Sequence, residues 1–452
     1  MGARLTDSRQ YAHLWGTAEL TALFDETARL QDWLDILTAL AAAQARLGII
    51  PAESAELIAE HADATRLDLD YVAEQTRLTA HSTLGLIREL QRVLPEPARE
   101  HVYLGATVQD VTDTWFALVM RRVGGLVWSD LRTLEVSLLE LAERHRRTPM
   151  LGRTHGQPGA PISFGFKVAS WADEVRRHLD RLAEARPRWL VGQLAGAVGV
   201  LGFFDPDGPR LRQEFCAELG LADPGISWLT ARDRIAEFGT VLSLVCGTLA
   251  RIGTEVFELS RPEIGELREP TTPDVVGSIT MPHKRNPEAS EHLDTLARLV
   301  RAHAGVLVEG TVGAHERDGR AWKAEWVALP EVCLLTAVAL QTARGLVSGL
   351  VVDPAAMLAN LHRFGDLPAS ERVLAGLSRR LGRHSAQQLL HKLILESGTR
   401  DVGAAVAAAG AATESEVQEW TEGWPIEAAA AMTDIVVRRA REARRAEPAT
   451  WP

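Results

Sequence analysis

The chain has 452 residues, 46% hydrophobic and 24% charged, a globular composition that excludes wholesale disorder. Lys plus Arg number 49 against 60 Asp plus Glu, a formal net charge of −11, so the basic footprint of a general nucleic-acid binder is missing. Cys216, Cys246 and Cys333 are far apart, in apolar runs, with no CxxC pair; they support neither a disulfide framework nor a zinc site and read as packing groups.

The opening residues lack the apolar run of an export signal, and no stretch of ~18 uninterrupted apolar residues indicates a membrane span. A cytoplasmic protein is expected. Residues 20–47 carry apolar side chains at spacings of three and four and stop at Gly48 and Pro51, which predicts one long helix. Similar runs at 114–145, 163–185, 233–258, 290–310 and 329–350 predict further helices. Strand-type alternation is scarce, and helices of ~25 to 30 residues are more than twice the globular mean, so a bundle is expected. Polar, glycine- and proline-bearing segments at 105–113, 152–161, 205–209, 269–287 and 314–320 are read as loops, where chemistry tends to sit. The arginine-rich tail from Arg438 is expected to fray. The reading is an all-α chain of three parts: residues 1–110 as an N-terminal helical domain, 111–365 as a long-helix bundle, and 366–452 as a C-terminal helical domain.

The loop Gly277-Ser278-Ile279-Thr280-Met281-Pro282-His283-Lys284-Arg285-Asn286-Pro287 holds a hydroxyl, a lysine and an amide within eleven residues. Lys284 and Asn286, two apart and beside backbone N–H groups, can grip a carboxylate, and Ser278 can act next to it. As generic chemistry the same string also suits a surface turn with a solvated lysine.

The literal string decides between them. It resembles the signature loop of the fumarase/aspartase superfamily, G-S-S-x-M-P-x-K-x-N-P. Gly105-Ala106-Thr107-Val108-Gln109-Asp110 resembles that superfamily's first loop, and Arg153-Thr154-His155-Gly156-Gln157-Pro158 resembles the T-H-x-Q loop of adenylosuccinate lyases. The resemblance runs from about residue 15 to about residue 443. It implies anti elimination from a substituted succinate, with Ser278 as base and with Lys284 and Asn286 holding the carboxylate that becomes a dianion. It further implies His155 as the acid and Glu291 as the carboxylate orienting it. Met281 would shape the pocket, and Thr107, Gln157, Thr154, Ser82 and His81 would contact substrate. A homotetramer with each active site drawn from three subunits is implied as well. No metal and no cofactor are expected, because His315, Glu316 and Asp318 fit no standard metal spacing. His283 and Arg285 read as loop scaffolding, and the twelve tryptophans as core and interface packing.

Two branches compete. The run from His315 to Trp326 (HERDGRAWKAEW), followed by Leu329-Pro330, resembles bacterial 3-carboxy-cis,cis-muconate cycloisomerases. The Thr154-His155-Gly156-Gln157 loop follows the adenylosuccinate-lyase pattern instead. Leu14 stands where those lyases have an arginine for the nucleotide phosphate, and Val108, Ile279 and Ala231 replace polar residues. The expectation is therefore a lyase on a small dicarboxylate with a non-nucleotide leaving group bonded through nitrogen. The cycloisomerase reaction stands second and adenylosuccinate cleavage third. A catalytically silent scaffold is the reading from another class, and the intact Ser278, Lys284, Asn286, His155 and Glu291 argue against it.

Overall fold

The computed structural model describes residues 5–271 and 276–451; residues 272–275 of the expected 269–287 loop lie outside them. The chain is all-α in class, with two small two-stranded sheets among the described residues. Five long helices pack side by side as a central bundle: Val108–Arg144, Phe164–Trp189, Asp233–Ser260, Glu288–Glu309 and Gly319–Ser348. The Val108–Arg144 helix has 37 residues, about 55 Å at 1.5 Å per residue. Trp128, Trp171 and Trp189 are fully buried in this core, where each large ring removes apolar surface from water. The Asp233–Ser260 and Gly319–Ser348 helices are long and apolar enough to cross a bilayer, but more than half of each apolar stretch is buried inside the bundle. Cys216, Cys246 and Cys333 are buried and unpaired. Burial pushes the Cys216 and Cys246 thiols up to about 12 and raises Cys333 as well.

Several expectations change, and the helix expected over 329–350 begins ten residues earlier, at Gly319. The helix predicted over 20–47 is two, Ala18–Leu23 and Glu26–Arg46, because Asp25 accepts from Thr27 N at 2.9 Å and starts a new helix. The predicted 152–161 loop is a β-hairpin, Pro149–Thr154 paired with Gln157–Ser163. The tail expected to fray from Arg438 is the Glu427–Ala446 helix, docked on the bundle. Arg441 forks onto Glu143 at 2.8 and 3.1 Å, Arg444 donates to Arg132 O at 2.8 Å, and Trp451 Nε1 reaches Leu182 O at 3.1 Å. A second, smaller core gathers Val373, Leu377, Val402, Val406 and Val417.

Candidate active site

The first loop ends where the longest helix begins. Thr107 is its N-cap, and Thr107 N donates to Asp110 Oδ2 at 2.8 Å. Residues 108–113, expected in a loop, form the first turns of that helix. Asp110 is buried and also accepts from Ala195 N at 2.9 Å and Gly196 N at 3.2 Å, which pins the glycine-rich 191–204 segment beside Thr107. Burial pushes Asp110 up to about 7, against the pull of these three N–H donors. Gly105 has φ +72, and a Cβ there would lie 2.2 Å from the Phe204 ring, so the loop requires glycine. Burial, then the nearby Asp110 charge, holds the Tyr103 phenol well above its ordinary value, which keeps it a neutral donor. Thr107, Arg317, Gly196 and Phe203 line a cleft of about 420 Å³.

Arg317 completes that cleft. It donates to Thr107 Oγ1 at 2.6 Å and to Gln109 Oε1 at 3.2 Å, and its guanidinium lies 5.7 Å from the Trp322 ring centroid. Beneath it, Arg232 forks onto Asp113 at 2.7 and 2.9 Å and onto Glu325 at 2.9 and 2.5 Å, all three buried. Burial opposes the Arg232 charge, but the two carboxylates outweigh it and hold the guanidinium further above its ordinary value. This network ties three bundle helices at the floor of the cleft. The sequence reading placed Arg317 only inside a branch-specific run. Arg317 stands just before the Asp318 cap of the Gly319–Ser348 helix, and no local pattern marks its role.

His155 sits at the tip of the hairpin. His155 has φ 54 and Gly156 has φ 74, the two positive values that a type I′ two-residue turn requires. Histidine is uncommon in this region of backbone space, and such residues gather at functional sites. Thr154, His155 and Gln157 are exposed, and Thr154 is the strand partner of Gln157. One residue back, Arg153 forks onto buried Glu266 at 2.7 and 2.9 Å. His81 is exposed and Ser82 half-buried, directly after Ala80 in left-handed conformation at φ 53.

The signature loop folds back on itself. Met281 N donates to Ser278 Oγ at 3.0 Å, and Lys284 N donates to Met281 O at 2.9 Å. A Cβ on Gly277 would lie 2.5 Å from Lys284 O, so this close approach admits only glycine. Asn286 Nδ2 donates to Gly277 O and to Glu288 Oε1, both at 3.1 Å. That amide braces the loop, leaving its oxygen for other partners. Lys284 is exposed. Glu269 closes the loop's base: its carboxylate accepts from Ala289 N at 3.1 Å, Ser290 N at 2.8 Å and Ser290 Oγ at 2.5 Å. Glu291 is exposed in the first turn of the Glu288–Glu309 helix. Its neighbour His292 touches Leu14 O at 2.9 Å and stacks edge-on to Trp15 at 5.6 Å.

One chain thus gathers Ser278, Met281, Lys284, Asn286 and Glu291 on one loop and its helix, and Thr107 with Arg317 on another. Among the described residues no hydrogen bond joins either group to His155.

Residues 15–302 match the model of the lyase family. The chain belongs to that family, within the fumarase/aspartase superfamily. It is 40% identical over 392 residues to an N-acetyl-S-(2-succino)cysteine lyase of Dickeya dadantii, covering 87% of this chain and 86% of that protein. It is 37% identical over 412 residues to a nitrosuccinate lyase of Streptomyces davaonensis, covering 88% and 86%. Among solved structures, a 3-carboxy-cis,cis-muconate lactonizing enzyme from Pseudomonas putida superposes with a TM-score of 0.87 at 31% identity, covering 96% of this chain and 99% of that one. This lyase therefore shares its fold with an enzyme of the cycloisomerase branch that the motifs indicate.

Proposed function

We propose that this lyase eliminates a thiol from a 2-thio-substituted succinate and releases fumarate. The observation that carries the reading is the braced 277–286 turn, which sets the Ser278 hydroxyl, the Lys284 ammonium and backbone N–H groups on one loop, next to Glu291. Ser278, whose hydroxyl oxygen accepts from Met281 N in the loop that also carries Lys284, removes the proton beside a carboxylate. The electron pair left by the proton is held as an aci-carboxylate by Lys284 and the loop's backbone N–H groups, joined by Asn286 when one Nδ2 hydrogen turns from Glu288 to the substrate; it then forms the C=C bond as the C–S bond breaks. His155, oriented by Glu291, protonates the departing sulfur. Ser82, His81, Thr154, Gln157 and Met281 contact the substrate's remaining groups. The Dickeya relative's name, which carries the succinyl group on sulfur, puts sulfur ahead of the nitrogen-bonded leaving group that the motifs favour. The nitrosuccinate lyase relative keeps nitrogen as the second choice.

The reaction needs His155 and Ser278 together, and among the described residues the hairpin and the signature loop share no hydrogen bond between their tips. A homotetramer that completes each site from neighbouring subunits satisfies this requirement. Three buried, unpaired thiols fit a cytoplasmic, reducing compartment.

The cycloisomerase reading rests on the Arg317–Trp322 contact, built from the cycloisomerase-like run. Cleavage of a nucleotide substrate is disfavoured by Leu14, whose apolar side chain stands where an arginine would grip a phosphate. Fumarate absorbance over a panel of thio-, amino- and nitrosuccinates, adenylosuccinate and carboxymuconate separates the three. Fumarate from the thiosuccinates is expected; turnover of carboxymuconate alone would overturn the lyase reading.

A further inference from the structure

A pocket of about 420 Å³ opens beside Ser82, walled by Phe24, Trp33, Trp115 and Trp326. The rings brace one another edge to face. Trp115 meets Phe24 at 6.3 Å and 88° and Trp33 at 6.2 Å and 85°, and Trp326 meets Trp322 at 4.8 Å and 82°. Trp115 Nε1 donates to buried Asp32 at 3.1 Å, which Arg122 grips at 2.7 and 2.8 Å. The walls are therefore preformed. They also continue into the Thr107 cleft: Trp322 Nε1 donates to Thr112 Oγ1 at 3.2 Å, Thr112 lines the pocket, and Arg317 stacks over Trp322 while holding Thr107.

We propose that this pocket receives the part of the leaving group remote from the reacting carbon, and that it selects apolar alkyl or aryl thioethers over phosphorylated groups. The proposal rests on the lyase reading and names its substrate class. An apolar cavity of about 150 Å³ already takes benzene, so this one has room for an aryl or branched alkyl group. Its charge is balanced, one cation in Arg29 and one anion in Glu331. A phosphate needs several convergent donors, whereas Arg29 lies against Trp33 at 5.8 Å and pairs with Glu26 at 3.7 Å.

The test is a series of 2-(alkylthio)succinates from methyl to hexyl with the benzyl compound, read as kcat/KM for fumarate release and as binding by tryptophan fluorescence. Burial of each methylene predicts a rise of roughly two- to fourfold. Val327 lines the pocket yet is 52% exposed, so Val327→Trp narrows it without disturbing the core. That variant is expected to lower the benzyl-to-methyl ratio of kcat/KM at least tenfold. Fumarate with a flat series, or an unchanged ratio in Val327→Trp, overturns the pocket assignment and leaves the lyase reading intact. Binding that tightens along the series without any fumarate sinks the lyase reading while supporting the pocket. No fumarate and no graded binding overturns both.

Discussion

Arg153 and Glu266 meet in a two-pronged ion pair, Nη2 to Oε1 at 2.7 Å and Nη1 to Oε2 at 2.9 Å. The pair ties the hairpin that presents His155 to the segment that opens the signature loop, three residues before Glu269. Asn360 Nδ2 adds a third bond to Glu266 Oε1 at 2.8 Å, so the carboxylate is fully engaged and fully buried. Two loops with different proposed roles are thus registered at their bases within one chain, although among the described residues their tips make no hydrogen bond to each other.

Glu266→Gln keeps the shape but removes the charge, leaving a mostly buried guanidinium opposite an amide that can accept at only one prong. Breaking such a pair costs on the order of 3 kcal/mol. The thermal midpoint is expected to fall by several degrees at fixed protein concentration, with turnover reduced as well. A midpoint equal to that of the unsubstituted chain would remove Glu266 from the role assigned to it.

The proposal that separate subunits supply Ser278 and His155 makes a quantitative demand. Ser278→Ala and His155→Ala are each expected to lose at least a thousandfold in kcat while folding normally, since both side chains are solvent-facing or half-buried. Unfolded together and refolded as a mixture, the two inactive chains should recover about a quarter of full activity, the share of sites that draw each intact residue from a different subunit. A mixture as inactive as its parents would place both residues in one subunit's site, or the acid elsewhere.

Arg317 joins the Thr107 loop to the aromatic wall through two donated bonds and one ring contact. Arg317→Lys keeps the charge but loses the planar fork. A drop of roughly tenfold in kcat/KM is expected, the equivalent of about 1.4 kcal/mol, carried mainly by KM if the loop positions substrate. Equal kinetics for lysine and arginine would show that only charge matters there.

The central bundle was legible because its signal is repeated many times. The 233–258 run, for example, is apolar at helical spacing throughout, and the helix found is Asp233–Ser260. The features that escaped were decided by few residues or by distant ones. The His155 hairpin looked like a loop because Gly152, Gly156, Gly159, Pro158 and Pro161 are all loop residues by propensity, and only the His-Gly turn marks it. Asp25 interrupts an otherwise continuous apolar pattern with a single capping carboxylate. The Glu427–Ala446 helix is anchored by Glu143 and Arg132, some 300 positions earlier in the chain, which no local pattern contains. The site loops were readable as literal motifs, whereas Glu266, Glu269 and Arg317, which brace them, needed the geometry.

His178 gives the fold a pH dependence whose sign can be worked out. It is buried between two bundle helices: Arg181 donates to its Nδ1 at 3.1 Å, so Nε2 carries the hydrogen and faces Thr248 Oγ1 at 2.9 Å, which in turn reaches Glu174 at 2.9 Å. Burial, then the Arg181 and Arg177 charges, depresses this imidazole to about 4. Between pH 4 and about 6.5 the unfolded chain therefore binds a proton that the folded chain refuses. Stability from this group is complete above about 6.5, declines as pH falls through that window, and stops changing below 4, a total of about 3 kcal/mol. Asp110, raised to about 7 when folded, runs the other way: its contribution is present below its unfolded value near 4 and is lost as pH rises toward 7. The two slopes offset each other in the unmodified protein, so the measurement must be a difference. Thermal midpoints of His178→Gln and the parent chain, at pH 7.5 and pH 5, isolate the histidine. The parent's advantage at pH 7.5 is expected to shrink by about 2 kcal/mol at pH 5, because glutamine does not titrate. A constant gap would mean that the buried ring takes up its proton as readily folded as unfolded.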